Sequence, residues 1–401
     1  IIERLVLFNF CMKNIHLIIA SCLISIILIY TVLFIYTFFN FDKEFEYTFK
    51  TSENLNFHQK YSKKLHHIRD ESALDLLFKK PEVKDLLFTT VNNIEDKEII
   101  VLFQGDSWME QLTSPVDKNF ISVKLVQQFQ NKKKVGFINA GIGSYSPSLM
   151  NLQLDVLEEE FEIFPNVIIS YIDQTDIGDE NCRYKNNKFY KNEILASVQP
   201  EAQLMYKDLF NYSQIYGLSK IYLGNNSKIL KTYQLINFKF KYNLKKSIIR
   251  FHRKYISNLK SDKDKLKKCH SDEIQKYLIN PNASDIKYFK DTIEEYIKKI
   301  EQKNHVNKII LITAPHKKNF EGDSDQKGSY TLNVSDVVDD VVKNKKNITH
   351  INFSKILLND KNFDYKNIWH IDDMHLNSNF HGKLFIKKIL DELSNYLSDK
   401  S

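Results

Sequence analysis

Three short apolar runs alternate with two amphipathic segments over residues 98–177, and that alternation constrains the fold more than any other feature of the chain. Ile99-Ile100-Val101-Leu102-Phe103 contains no polar residue, as in a strand covered on both faces. Phe120, Val123, Leu125, Val126 and Phe129 follow over about 117–130 and predict a helix. Val135-Gly136-Phe137-Ile138 reads as a second strand. A second helix runs from about Ser148, with Leu149, Leu152, Leu154, Val156, Leu157 and Phe161, and Val167–Ile172 is a third strand. Strands alternating with helices of this length imply a parallel sheet with right-handed crossovers. The rhythm stops at about Gly178. It resumes with Lys308–Thr313 as a fourth strand and Ile348–Phe353 as a fifth. Phe380–Leu397 then carries Phe385, Ile386, Ile389, Leu390, Leu393 and Leu397 on one helical stripe.

The strand tips hold the residues that can do chemistry. The first strand ends in Gly105-Asp106-Ser107, the second in Asn139-Ala140-Gly141-Ile142-Gly143-Ser144, and the third in Asp173-Gln174-Thr175-Asp176. Ligands of open α/β sheets bind at such carboxyl-end tips. A serine there can be a nucleophile if a histidine and a carboxylate reach it, and is otherwise part of an ordinary Gly-Asp-Ser turn. Near the C-terminus, Asp372 and His375 lie three apart in Trp369-His370-Ile371-Asp372-Asp373-Met374-His375, so one turn can place both on one side. A capping aspartate beside a surface histidine is the plainer reading of that pair. A second Gly-Asp-Ser at 322–324 has no apolar strand before it and reads as a loop. His316 follows the fourth strand and is a candidate substrate contact, or a plain loop histidine after Pro315.

Taken together, these blocks resemble the SGNH (GDSL-type) serine hydrolase family, in the family's order and at its strand ends. The resemblance covers about 98–177 and 305–397. It implies a three-layer α/β/α, flavodoxin-like domain with a parallel sheet. It also implies Ser107 as nucleophile, His375 as base and Asp372 as the group that orients His375. The oxyanion hole would use the N–H groups of Ser107 and of Gly143 or Ser144, helped by Thr175, with Asp106 and Asp176 as candidate substrate contacts. Two positions depart from the family pattern: Thr175 stands where an asparagine is usual, and the oxyanion glycine falls on Ser144. The implied activity is hydrolysis of an acyl ester without a metal or organic cofactor. The same triad also serves polysaccharide O-acetyltransferases, and a catalytically inactive envelope protein binding glycan or a partner is the reading from a different class.

The flanks set the compartment. His16–Phe39 holds no Asp, Glu, Lys or Arg over 24 residues, enough to cross a bilayer as a helix. Arg4 and Lys13 precede it, while Asp42, Glu44 and Glu46 follow with Lys43. The positive-inside bias therefore predicts a cytoplasmic segment 1–15, a transmembrane helix 16–39, and the remainder periplasmic or extracellular. A cleaved signal peptide competes, but the run is long and its end lacks small residues. Met12 would make a natural start. Residues 40–97 read as a stalk and helical lead-in whose histidines, His58, His66 and His67, are solvated. Residues 178–304 read as a basic, helical insertion between two parts of the domain, 98–177 and 305–401. From Ser219 to Lys268 there are 15 Lys or Arg against Asp262 and Asp264, a local charge of +13 in a chain of net +7. That region can bind anionic glycan or lipid, or be a solvated lid. Nucleic acid is excluded as a partner beyond a membrane; an acylated carbohydrate or similar ester is the expected substrate. Cys182 and Cys269 can pair if the domain is exported, and no cysteine spacing suggests a metal site.

Overall fold

Apolar runs must be covered on both faces, and the five predicted strands, most of them built on such runs, join one sheet. The computed structural model describes residues 2–42, 57, 60–69, 83–91, 93–113, 121–200, 227–251, 269, 271–320, 330–359, 368, 375, 377 and 384–398. In chain order the elements are α1 (Ile2–Phe39), β1 (Thr89–Thr90), β2 (Ile99–Gln104), α2 (Ile121–Lys133), β3 (Val135–Asn139), α3 (Pro147–Phe161) and β4 (Val167–Tyr171). There follow β5 (Lys188–Lys191), β6 (Ile194–Val198), α4 (Lys228–Phe251), α5 (Ser271–Ile279), α6 (Ala283–Glu301), β7 (Lys308–Thr313), α7 (Val334–Val342), β8 (Ile348–Asn352), α8 (Phe353–Leu358) and α9 (Ile386–Ser398). The chain folds as two units, His58–Met205 with Leu266–Ser401, and Ile1–Phe57 with Tyr206–Lys265.

The first of these units contains the sheet, in the order β1-β3-β2-β4-β7-β8. Every pair from β3 to β8 is parallel, and only the two-residue β1 runs antiparallel, on the edge of β3. The five parallel strands, numbered in chain order, lie 2-1-3-4-5, the flavodoxin-like doubly wound order. The chain leaves β2 for one side at β3 and returns to the other side at β4. The crevice of such a sheet opens outside the carboxyl ends of β2 and β4.

Strand alternation splits the core. Val101, Phe103, Phe137, Ile169, Tyr171 and Ile312 pack with Val126 of α2, Phe353 of α8 and Ile386, Ile389 and Leu393 of α9. The intervening positions turn to the other face. There Gln104 Nε2 donates to Gln153 Oε1 of α3 (2.8 Å), Tyr296 OH of α6 donates to Gln104 Oε1 (2.7 Å), and His350 Nδ1 lies 2.6 Å from Asp339 of α7. The result is the three-layer α/β/α sandwich.

Two stretches differ from the sequence reading. Within 178–304, β5 and β6 form a hairpin, and α6 is the crossover helix between β4 and β7, not an appendage. Its Phe289, Ile293, Tyr296, Ile297 and Ile300 are wholly buried because they fall on one helical face. Residues 60–69 are likewise no stalk: Tyr61, Leu65 and Ile68 are buried, and Leu65 bridges to Val198.

The other unit pairs α1 with α4. α1 includes Ile19–Phe39, long and apolar enough to cross a membrane. Of the basic stretch 219–268, residues 227–251 are described, and they form α4.

Candidate active site

The end of β2 is a turn that only glycine fits. Gly105 has φ +149°, and a Cβ there would lie 3.0 Å from both the Cβ and the carbonyl oxygen of Tyr171. Asp106 follows in extended backbone and caps a single helical turn, Ser107–Glu110, accepting the N–H of Trp108 at 2.9 Å. Ser107 thus opens the turn, half-buried, with Oγ 2.7 Å from His375 Nε2. Trp108 is buried beneath them, stacked on Tyr171 at 5.4 Å and 6.2 Å from the His375 ring. The fold therefore joins two sequence-predicted residues that are 268 positions apart. Asp372 lies outside the described residues, as does the second Gly-Asp-Ser at 322–324.

The loop after β3 is stapled to this turn by Asn139. Its Nδ2 donates to the carbonyls of Met109 (3.0 Å) and Glu110 (3.1 Å), and its Oδ1 accepts the N–H of Gly141 (2.9 Å). A Cβ on Gly141 would fall 2.5 Å from the Glu110 nitrogen, so here backbone packs on backbone. One on Gly143 would meet only Ser107 Cβ, at 3.9 Å, which sets Gly143 beside the serine. Ser144 follows with φ +64°, a left-handed conformation uncommon for a serine and natural for a glycine. Among the described residues, the N–H groups of Ser107, Gly143 and Ser144 meet no protein acceptor.

Thr175 is oriented otherwise than expected. Its hydroxyl donates to Asp173 Oδ2 at 2.5 Å, and its N–H donates to the same oxygen at 2.9 Å. The proton assigned to the oxyanion is engaged inside its own loop. Asp176 also turns inward: its Oδ2 accepts the N–H of Asp173 at 3.0 Å, while its Oδ1 has no partner among the described residues. Asp106, Asp173, Asp176 and Asp179 form a buried acidic group under the crevice. Burial, then the charge of Asp173, raises Asp106 and Asp176 well above the usual carboxylate range. Burial likewise lifts Asp179 to about 7, although Arg183 Nε lies 3.2 Å away and opposes the rise. Asp106 and Asp176 thus support the loops and do not present free carboxylates.

His316 lies buried after β7. Its Nδ1 accepts the Lys318 N–H at 3.0 Å, so the neutral ring carries its hydrogen on Nε2, which has no partner among the described residues. Burial holds it down to about 4 against the pull of Asp173.

Three site residues were hidden from sequence reasoning. His67 Nε2 sits 2.8 Å from the Gly143 carbonyl, an acceptor only, so it donates there. Its Nδ1 is then left to accept from His66 Nδ1, 2.9 Å away. Burial, with His67 and Arg183 nearby, pushes His66 down to about 3, so His66 is neither solvated nor charged. Arg69, also buried, donates to the carbonyls of Gly141 (2.8 Å) and Asn139 (3.2 Å) and pairs with Glu110 at 3.1 Å. An isolated His-His-x-Arg in a polar stretch gives no signal for any of these contacts.

Cys182 and Cys269 form a disulfide, Cα atoms 5.7 Å apart. Among the described residues they and Glu273 make the one close set of metal-type ligands, and with both sulfurs bonded to each other that set is not a metal site.

The sequence matches no protein-family profile. It matches no curated protein. Among solved structures it is similar to a catalytic mutant of Axe2, an acetylxylan esterase from Geobacillus stearothermophilus, at 12% identity over 74% of this chain and 96% of that one, TM-score 0.37. It is similar to the psychrotrophic esterase EstA from Pseudoalteromonas sp. at 10% identity over 75% and 100%, TM-score 0.34. The acetyl xylan esterase AlAXEase gives 13% identity over 74% and 99%, TM-score 0.36.

Proposed function

We propose that the chain is a serine-dependent acyl-ester hydrolase of the SGNH kind. The observation that carries the reading is the 2.7 Å contact between Ser107 Oγ and His375 Nε2 at the switch point of the sheet. In this reading His375 Nε2 takes the Ser107 proton as Oγ bonds to the ester carbonyl carbon. The tetrahedral oxyanion is held by the N–H of Ser107 and that of Gly143 or Ser144. His375 then returns the proton to the departing alkoxide as the C–O bond breaks. Water, deprotonated by the same imidazole, releases the acid and frees Ser107. Asp372 is the group assigned to orient His375, and His316 Nε2–H is a donor for a substrate oxygen. Neither step needs a metal or organic cofactor.

The substrate belongs outside the cytoplasm. α1 is read as an uncleaved anchor with the N-terminus inside, and the Cys182–Cys269 disulfide is the kind that persists in an oxidising compartment. An O-acylated envelope or extracellular glycan is the ester this placement favours.

The test is turnover of p-nitrophenyl acetate by the full chain in detergent against Ser107→Ala. The variant is expected to lose activity by more than about 1,000-fold, leaving what the oxyanion donors supply alone. Equal rates for the two proteins would refute the assignment.

A further inference from the structure

α4 has two apolar faces, and they have different neighbours. Leu235 and Phe238 pack on Phe41, just past the end of the apolar run of α1. Tyr233 instead meets Tyr30, well inside that run, ring centroids 6.5 Å apart. Residues two apart on a helix point about 160° away from each other. Tyr233 and Leu235 therefore look in opposite directions along α1, one back into the apolar run and one beyond it. Between them Thr232 and Ile236 are buried, and Lys228 Nζ sits 5.2 Å from the Phe38 ring centroid.

The face that looks back is exposed. Ile229, Tyr233, Phe240 and Leu244 stand i, i+4, i+11 and i+15, within about 60° of arc on the helix. Their exposures are 62, 49, 66 and 49%. An exposed aromatic-aliphatic stripe is costly in water, roughly 25 cal/mol for each Å² of apolar surface left wet. This one is continuous with the lipid-length surface of α1, where residues such as Leu28, Ile29 and Leu33 are also exposed. Lys231, nine residues before Phe240, falls on the opposite side of the helix.

We infer that α4 lies in the plane of the bilayer surface, its Ile229–Tyr233–Phe240–Leu244 stripe seated in the outer leaflet beside α1 and its lysines among the headgroups. Amphipathic helices of this kind bury their apolar face about 5–10 Å into the boundary between headgroups and acyl chains. Tyr233 reaches toward Tyr30 in the apolar run while Phe238 packs beside Phe41 past its end, so the two faces of α4 look to opposite sides of such a boundary. The inference rests on the reading of α1 as a membrane anchor.

The full chain, reconstituted in phosphatidylcholine–phosphatidylglycerol vesicles, carries Phe240→Trp in one variant, Leu244→Trp in a second and Lys231→Trp in a third. The unaltered protein supplies the background of Trp108 and Trp369. With lipids brominated along the acyl chains, the emission added by Phe240→Trp or Leu244→Trp is expected to be blue-shifted and largely quenched, and that of Lys231→Trp to be neither. Unquenched emission from both stripe variants in a chain that still floats with the vesicles overturns the lipid docking alone. Blue-shifted but unquenched emission overturns it in favour of a protein covering the stripe. A chain that does not float overturns the anchor reading and this one with it.

Discussion

Thr175→Val separates two roles for one hydroxyl. The hydroxyl donates to Asp173 Oδ2 at 2.5 Å, and Asp173 is 1% exposed. A hydrogen bond to a charged partner contributes about 1.5–3 kcal/mol. Because Oδ2 keeps the Thr175 N–H at 2.9 Å, the carboxylate is not orphaned, and the lower half of that range, about 2 kcal/mol, applies. For a unit of roughly 280 residues the unfolding entropy is about 0.6 kcal/mol/K, so Tm should fall by about 3 °C. Valine is nearly isosteric with threonine, which keeps packing changes small. On p-nitrophenyl acetate, kcat should fall less than about tenfold, since the oxyanion keeps its backbone donors. The paired assay is a thermal melt and steady-state kinetics on the same detergent-solubilised preparation. Unchanged Tm with kcat down about 100- to 1,000-fold would mean that the hydroxyl serves the oxyanion after all, and would refute this account.

Asp179 predicts a pH dependence of stability. Its folded value of about 7 lies above the ordinary 3.8, so the folded state binds its proton more tightly than the unfolded chain does. Stability is fully present below about 3.8, falls as pH rises through the window to about 7, and is then lower by about 4 kcal/mol at most. Asp179→Asn should flatten that decline in melts taken across the window, and an undiminished slope would exclude Asp179 as its source. Separately, the Cys182–Cys269 link closes a loop of 87 residues, for which chain entropy gives about 4–5 kcal/mol. Reduction, or Cys182→Ser with Cys269→Ser, should lower Tm by about 7 °C; melts that coincide with and without reductant would refute the contribution.

The sheet was legible because β2, β3, β4 and β7 are built around apolar runs; β8, Ile348-Thr349-His350-Ile351-Asn352, has only two apolar residues. Periodicity placed β7 at Lys308–Thr313 and the others to within a residue or two. The crossover α6 was equally periodic, at Phe289, Ile293, Tyr296 and Ile300. It was lost because more than a hundred residues separate β4 from β7, and a gap of that length reads as an insertion from end to end. At the site, the sequence pointed to Ser107 and His375 through strand-end placement and Asp-x-x-His spacing. It could not orient a short side chain. Thr175 has one proton and two candidate acceptors, and the acidic loop around it took the proton. Nor does a two-residue strand such as Thr89–Thr90 leave any pattern to read.

The hidden residues His67 and Arg69 share a logic that the strand-end motifs lack. A trans peptide points its C=O and the following N–H in opposite directions. Arg69 holds the Gly141 carbonyl, and the next N–H, of Ile142, is aimed back at Gly105 O at 3.0 Å, closing the loop onto the turn that carries Ser107. His67 holds the Gly143 carbonyl, and the next N–H, of Ser144, is aimed the other way with no acceptor among the described residues. Tyr145 OH returns to the His67 carbonyl at 2.8 Å, so the donor is itself fixed. Two side chains from the segment before the first long strand thus set two peptides of the candidate oxyanion loop, one for structure and one for use. The segment 60–69 is therefore part of the catalytic apparatus in this reading. Through the Gly143 carbonyl, its His67 does for Ser144 what a glycine alone cannot: it chooses which way the Ser144 N–H points.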